Sequence, residues 1–133
     1  MLVGTEQGVD ILPLRGADGQ DVGALFSADE HRFGIHAGDI ETSMMLALDP
    51  AHVDMAQAQN FHSSSQDRAQ KFAILGNGTS AKLGWQMQDY NPAGAVGHAA
   101  NATADKGRAV VAAAGLSLAQ LLQEIDQLAV PQA

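Results

Sequence analysis

The stretch Gly34-Ile35-His36-Ala37-Gly38-Asp39-Ile40-Glu41-Thr42-Ser43-Met44-Met45-Leu46-Ala47-Leu48 decides how this 133-residue sequence is read. A glycine turn runs directly into a helix. Asp39 is placed to accept hydrogen bonds from the unpaired N–H groups of Ile40, Glu41 and Thr42. Ile40, Met44, Ala47 and Leu48 then fall at i, i+4, i+7 and i+8, the spacing of one buried face. The helix should reach about Leu48, where Asp49-Pro50 stops it and opens another, with Asp49 as cap and Pro50 in the first turn. Val53 to Gln59 is expected to be that short second helix, so that residues 34–60 form a motif helix and its successor.

The same stretch holds the densest polar cluster. His36 stands just before a helix N-terminus, and a histidine can both deliver and accept a proton near neutral pH, with room left beside it by Ala37 and Gly38. The helix N-terminus favours a polarised carbonyl or an oxyanion. A plainer reading competes, because Asp39 and Glu41 in a first helical turn are what helix stability alone would select. His36, Asp39 and Glu41 are also a conceivable metal triad, although they lack the i, i+4 histidine pair of helical zinc sites. His31, His52, His62 and His98 are scattered among polar residues and read as solvated.

Outward towards the C-terminus, Val110, Ala114, Leu118, Leu121, Leu122, Ile125 and Leu128 form one apolar stripe, which predicts a long amphipathic helix over 103–128. Gly107 and Gly115 inside it suggest close packing against another backbone. Residues 61–100 read as loop-rich: a polar surface excursion to Ser80, a strand or ordered loop around Trp85, and turns at Asn91-Pro92-Ala93-Gly94 and Gly97. Towards the N-terminus, Gly4, Gly8, Pro13, Gly16, Gly19 and Gly23 punctuate residues 1–30, leaving room for short strands such as Leu2-Val3 and Val9 to Leu14. Ser63-Ser64-Ser65 has no nucleophile-elbow context.

Composition narrows the function classes. Fifteen acids against seven bases give a formal charge of -8, with no basic cluster to track nucleic acid or an anionic membrane. Cysteine is absent, which excludes disulfides, thiolate metal sites and a cysteine nucleophile, and suits a reducing cytoplasm. Neither a leader segment nor an apolar run of about 18–20 residues is evident, so the sequence reads as unexported, with no membrane partner.

Two stretches resemble the creatininase (creatinine amidohydrolase) family. His36-Ala37-Gly38-Asp39-Ile40-Glu41-Thr42-Ser43, followed by Asp49-Pro50, is similar to its histidine-glycine-acid-x-Glu-Thr-Ser signature. Gly84-Trp85, Asp89, Asn91-Pro92-Ala93-Gly94 and Ala102 to Gly107 resemble its C-terminal end. The resemblance implies an α/β chain: the C-terminal portion of a layered creatininase-like α/β/α fold, helix-rich with a few short strands, residues 1–133 making one partial domain. It further implies hydrolysis of a carbon–nitrogen bond in a small amide, possibly cyclic, by hydroxide generated on two divalent metals, zinc or manganese. His36 would move protons to the leaving nitrogen and Glu41 would orient it, with Ala37, Gly38, Asp39 and Trp85 lining the substrate. The family's metal-binding elements, a Glu-x-His, an aspartate and an Asn-Gly-His turn, do not occur here. The expectation is therefore a segment inactive alone, assembled as a homo-oligomer or paired with an N-terminal half. The competing expectation is a catalytically inactive module that binds a small ligand or another subunit.

Overall fold

The computed structural model describes residues 4–5, 8–9, 14–75, 81 and 83–128. Two helices govern the packing: α2 (Asp39–Leu48) and α5 (Ala104–Gln127). Thr103 starts α5 by accepting the Lys106 N–H on its hydroxyl, and the long helix lies where the periodicity puts it. The remaining elements are brief: strands β1 (Gly4–Thr5) and β2 (Gly8–Val9), helix α1 (Ala28–Phe33), strand β3 (Asn60–Phe61), helices α3 (Ser64–Lys71) and α4 (Met87–Tyr90), and strand β4 (Gly97–His98). β1 pairs with β2 and β3 with β4, both antiparallel, the second with Asn60 opposite His98 and Phe61 opposite Gly97. The chain is thus helix-rich with few strands. The expected strands at Leu2-Val3 and over residues 10–13 lie outside the described residues.

Alpha2 and α5 cross at unusually close range. Gly107 is buried, and a methyl group added to it would run into the Ser43 carbonyl and the backbone that follows. Ser43, fully buried, donates its hydroxyl to Asp39 Oδ1 at 3.1 Å and accepts the Thr103 N–H at 3.1 Å. Next to the crossing, Val22, Phe26, Val110 and Ala113 form the core, with Leu14, Ile40, Met44 and Ala109 packed against them. Val22 and Phe26 arrive on and just after a 3₁₀ turn, Val22–Leu25, capped by Asp21.

Several expectations are corrected. Gly38, not Asp39, occupies the N-cap of α2, and no side chain caps it. Asp39 is the first helical residue and turns inward, because Lys106 and Ser43 offer its carboxylate better partners than the adjacent N–H groups do. Pro50 does stand in a first turn, but of a 3₁₀ helix that ends at His52, and Val53 to Gln59 form turns; Asp49 occupies the cap position as expected, with its side chain on His52 rather than on a helix N–H. The surface excursion from 61 contains α3, capped by Ser63. Ser63 and Ser65 are buried with their hydroxyls 2.6 Å apart, so the serine triplet is a helix start rather than a loop. Gly115 has open space around its Cα, unlike Gly107. Finally, the stripe on α5 is buried only at its start: Leu118, Leu121, Leu122, Ile125 and Leu128 are exposed. Length and composition alone would let α5 cross a membrane, although its first two turns are committed to α2.

Candidate functional site

His36 sits on a single antiparallel bridge to Val96, a residue with no exposed surface. The Val96 N–H donates to the His36 carbonyl at 2.8 Å, and the Ile35 and His36 N–H groups both donate to the Val96 carbonyl, at 3.1 and 3.3 Å. The backbone on which the imidazole stands is therefore fixed while the ring itself is half exposed.

The next residue makes the turn. Ala37 has φ of +53°, a conformation that non-glycine residues adopt only where the surroundings hold them. Three contacts hold it here. Its N–H donates to Glu41 Oε2 at 2.6 Å, its carbonyl accepts the Thr42 hydroxyl at 3.3 Å, and the Gly38 carbonyl after it receives the Thr42 N–H. The same Glu41 oxygen stands 3.2 Å from His36 Nδ1. The two meet as a close charge contact rather than an aligned hydrogen bond, and a carboxylate this near favours the tautomer with the proton on Nδ1, which leaves Nε2 as the basic nitrogen. The arrangement presents a basic nitrogen on a fixed backbone, oriented by a carboxylate that is itself anchored by a main-chain N–H.

Glu30 completes the frame and was not singled out in the sequence. It is buried, with 5% of its surface exposed. One oxygen accepts the Ile40 N–H in the first turn of α2 at 3.3 Å, and the other accepts the His98 N–H of β4 at 2.9 Å. Gly34, Gly38 and Gly97 wrap the carboxylate so tightly that a methyl group on any of them would strike it or the backbone beside it. Gly97 also has φ of +133°, a second reason for glycine there. Ser27-x-x-Glu30 has the spacing of a capping box, and Ser27 does accept the Glu30 N–H, but the Glu30 side chain turns inward rather than back to the cap. That spacing was the available signal.

The remaining expected site residues are placed differently. Asp39 lies under the surface against Lys106, on the α5 side of α2 rather than beside the His36 ring. Trp85 packs edge-on against the buried Tyr90 at 5.1 Å, and Arg68 covers the Tyr90 ring at 4.8 Å; no hydrogen bond or ring contact joins Trp85 to His36 or Glu41. Ala37, Glu41 and Thr42 border a shallow, largely apolar hollow of about 290 Å³, walled opposite by His52, Met55 and Phe61. Among the described residues no three His, Asp or Glu side chains converge to hold a metal ion. His36 and Glu41 are only a pair, and Asp39 is neutralised by Lys106, so a resident metal does not fit these residues.

Comparison with protein families matches residues 12–122 to Creatininase, described as creatinine amidohydrolase. No curated protein sequence matches. Among solved structures, a protein from Bacteroides fragilis NCTC 9343 that carries the provisional name creatinine amidohydrolase is similar, with a TM-score of 0.63 and 29% identity. The match covers 82% of this chain and 40% of that one, so the chain spans about two fifths of that protein's length.

Proposed function

Because this chain belongs to the creatininase family, we propose that it supplies the proton-handling side of a metal-dependent amidohydrolase site, as the C-terminal portion of a layered α/β/α fold. The observation that carries this reading is the Glu41 carboxylate bound to the Ala37 N–H and standing 3.2 Å from His36 Nδ1. When the carbon–nitrogen bond of a small amide breaks, the departing nitrogen needs a proton. His36, its side chain half exposed next to Ala37 and Glu41 of the hollow's wall, is the group to deliver it: Nε2 takes that proton from the attacking water and passes it on, and Glu41 steadies the imidazolium in between. Ala37 borders the hollow where the substrate would sit, whereas Gly38, expected beside it, is buried against the Glu30 carboxylate and leaves no such space. Asp39, tied to Lys106, serves the crossing of α2 and α5 instead, and Trp85 supports Tyr90.

The metals, zinc or manganese, would be held by residues outside those described, in another part of a longer protein or in a second subunit. When bound they supply a hydroxide nucleophile. A chain without cysteine is suited to the cytoplasm, with a small amide as its ligand, and the lack of a basic cluster argues against nucleic acid as partner.

The decisive experiment assays the complete protein carrying this segment against a panel of small linear and cyclic amides, with and without chelator, and compares His36→Ala. Turnover should fall about 100-fold or more while bound metal is unchanged. Equal loss of metal would make His36 a ligand, and unchanged turnover would remove it from the chemistry. The second reading, an inactive binding or pairing module, is favoured by the lack of any metal-holding cluster among the described residues. It predicts no hydrolysis in any assembly, with an amide ligand still bound.

A further inference from the structure

We infer that Glu30 is a positioning residue for the His36–Glu41 pair, coupling the imidazole's tautomer to a buried carboxylate that touches neither substrate nor His36. The inference rests on the reading of His36 as the proton carrier. Its evidence is geometric. The loop from His36 to Ile40 is held at two points: at His36 by the bridge to Val96, and at Ile40 by the N–H bond to Glu30. Glu30 controls both. Its other oxygen holds the His98 N–H, two residues beyond Val96, and so fixes the strand that carries the bridge. Between the two holds, Gly38 lies against the carboxylate and Gly97 against the Gly38 Cα. The strained Ala37 turn, which aims its N–H at Glu41, is thereby held between the Val96 bridge and the start of α2, and Glu30 braces the segments on both sides of it.

Among the described residues no ion pair neutralises this carboxylate; its partners there are two main-chain N–H groups, one of them in the first turn of a ten-residue helix whose positive end faces it. A buried acid satisfied only by backbone can hold its two partners only while both oxygens accept. Glutamine has the same shape but one accepting oxygen, and its NH2 would face the second N–H with nothing to accept.

The test uses the full chain with ¹⁵N-labelled histidine and reads the two ring nitrogens of His36 by NMR, without substrate, above the pH at which the ring titrates. In the unaltered chain the two signals should be well separated, with the proton on Nδ1. Glu30→Gln should move them together, towards the positions found in Glu41→Gln, while unfolding stays cooperative. Gly38→Ala, which pushes the carboxylate from the opposite side, should give the same movement. Unchanged His36 signals in a folded Glu30→Gln chain would overturn the inference. So would global unfolding of both variants, since Glu30 would then serve the whole fold rather than the site. Because the readout needs no turnover, it can succeed even if the complete protein hydrolyses nothing, and it can fail while His36→Ala still abolishes activity.

Discussion

Lys106 reaches across from α5 and places its ammonium 2.6 Å from Asp39 Oδ2 and 2.8 Å from Oδ1, with only 5% of the Asp39 side chain exposed. Phe26 covers the same ammonium from 5.2 Å. Removing the lysine strands a buried carboxylate, and Lys106→Met should destabilise the chain by about 3 kcal/mol, the scale for breaking a buried pair. The double variant Asp39→Asn with Lys106→Met should recover part of this. Urea unfolding of the three chains would measure it, and a loss below half a kcal/mol in the single variant would show that the pair is solvated after all.

The two glycines of α5 should respond in opposite directions. Gly107→Ala drives a methyl group into the Ser43 backbone, which cannot yield as a flexible side chain would, and should cost about 3 kcal/mol. Gly115→Ala meets nothing and should stabilise by roughly 0.5–1 kcal/mol through helix propensity. Thermal unfolding of the pair distinguishes a close helix crossing from a general effect of alanine.

In the complete protein, Glu41→Gln keeps an oxygen for the Ala37 N–H but removes the charge beside His36 Nδ1. Turnover should fall roughly tenfold, short of the ~100-fold expected for losing the acid–base group itself. A drop as large as that of His36→Ala would assign Glu41 a direct part in proton transfer.

The exposed stripe Leu118, Leu121, Leu122, Ile125 and Leu128 should make the purified chain self-associate, since contiguous apolar surface of this kind rarely stays bare in a monomer. Sedimentation at several concentrations should show a dimer or larger species, and Leu121→Gln with Ile125→Gln should shift it towards monomer. A concentration-independent monomer with a sharp thermal transition would show that the chain is content with that face open to water.

What the sequence disclosed is local. Alpha2 and α5 announce themselves because the 3.6-residue spacing of Ile40 and Met44, or of Val110 and its successors, is written within one helix, and Thr103 caps α5 from the adjacent position. His36 and Glu41 are five residues apart, so their meeting is also legible. What remained hidden depends on partners far along the chain. Asp39 reads as a cap until Lys106 arrives 67 residues later, and Glu30 passes unmarked because its partner His98 lies 68 residues further on. Alpha3 escaped because Ser63-Ser64-Ser65 has the composition of a turn, and only its buried hydroxyls reveal a helix start. The open end of α5 could not be foreseen from the stripe, because periodicity tells which face is apolar and not what covers it.

The three long-range ties around the site, Glu30 to His98, Ser43 to Thr103 and Asp39 to Lys106, also set a timetable for synthesis. A ribosome finishes the histidine signature at Ser43 about fifty to sixty residues before it makes Val96, His98, Thr103 and Lys106, the later partners that brace it. Contacts so distant in sequence close slowly, because the entropy of the intervening chain must be overcome first. The nascent α2 must therefore wait, its inward-facing Asp39 still hydrated, until Ala104 to Val110 emerge and wind into the opening turns of α5. Translation pauses before that point would lengthen the wait, and ones after it would leave the site to assemble undisturbed.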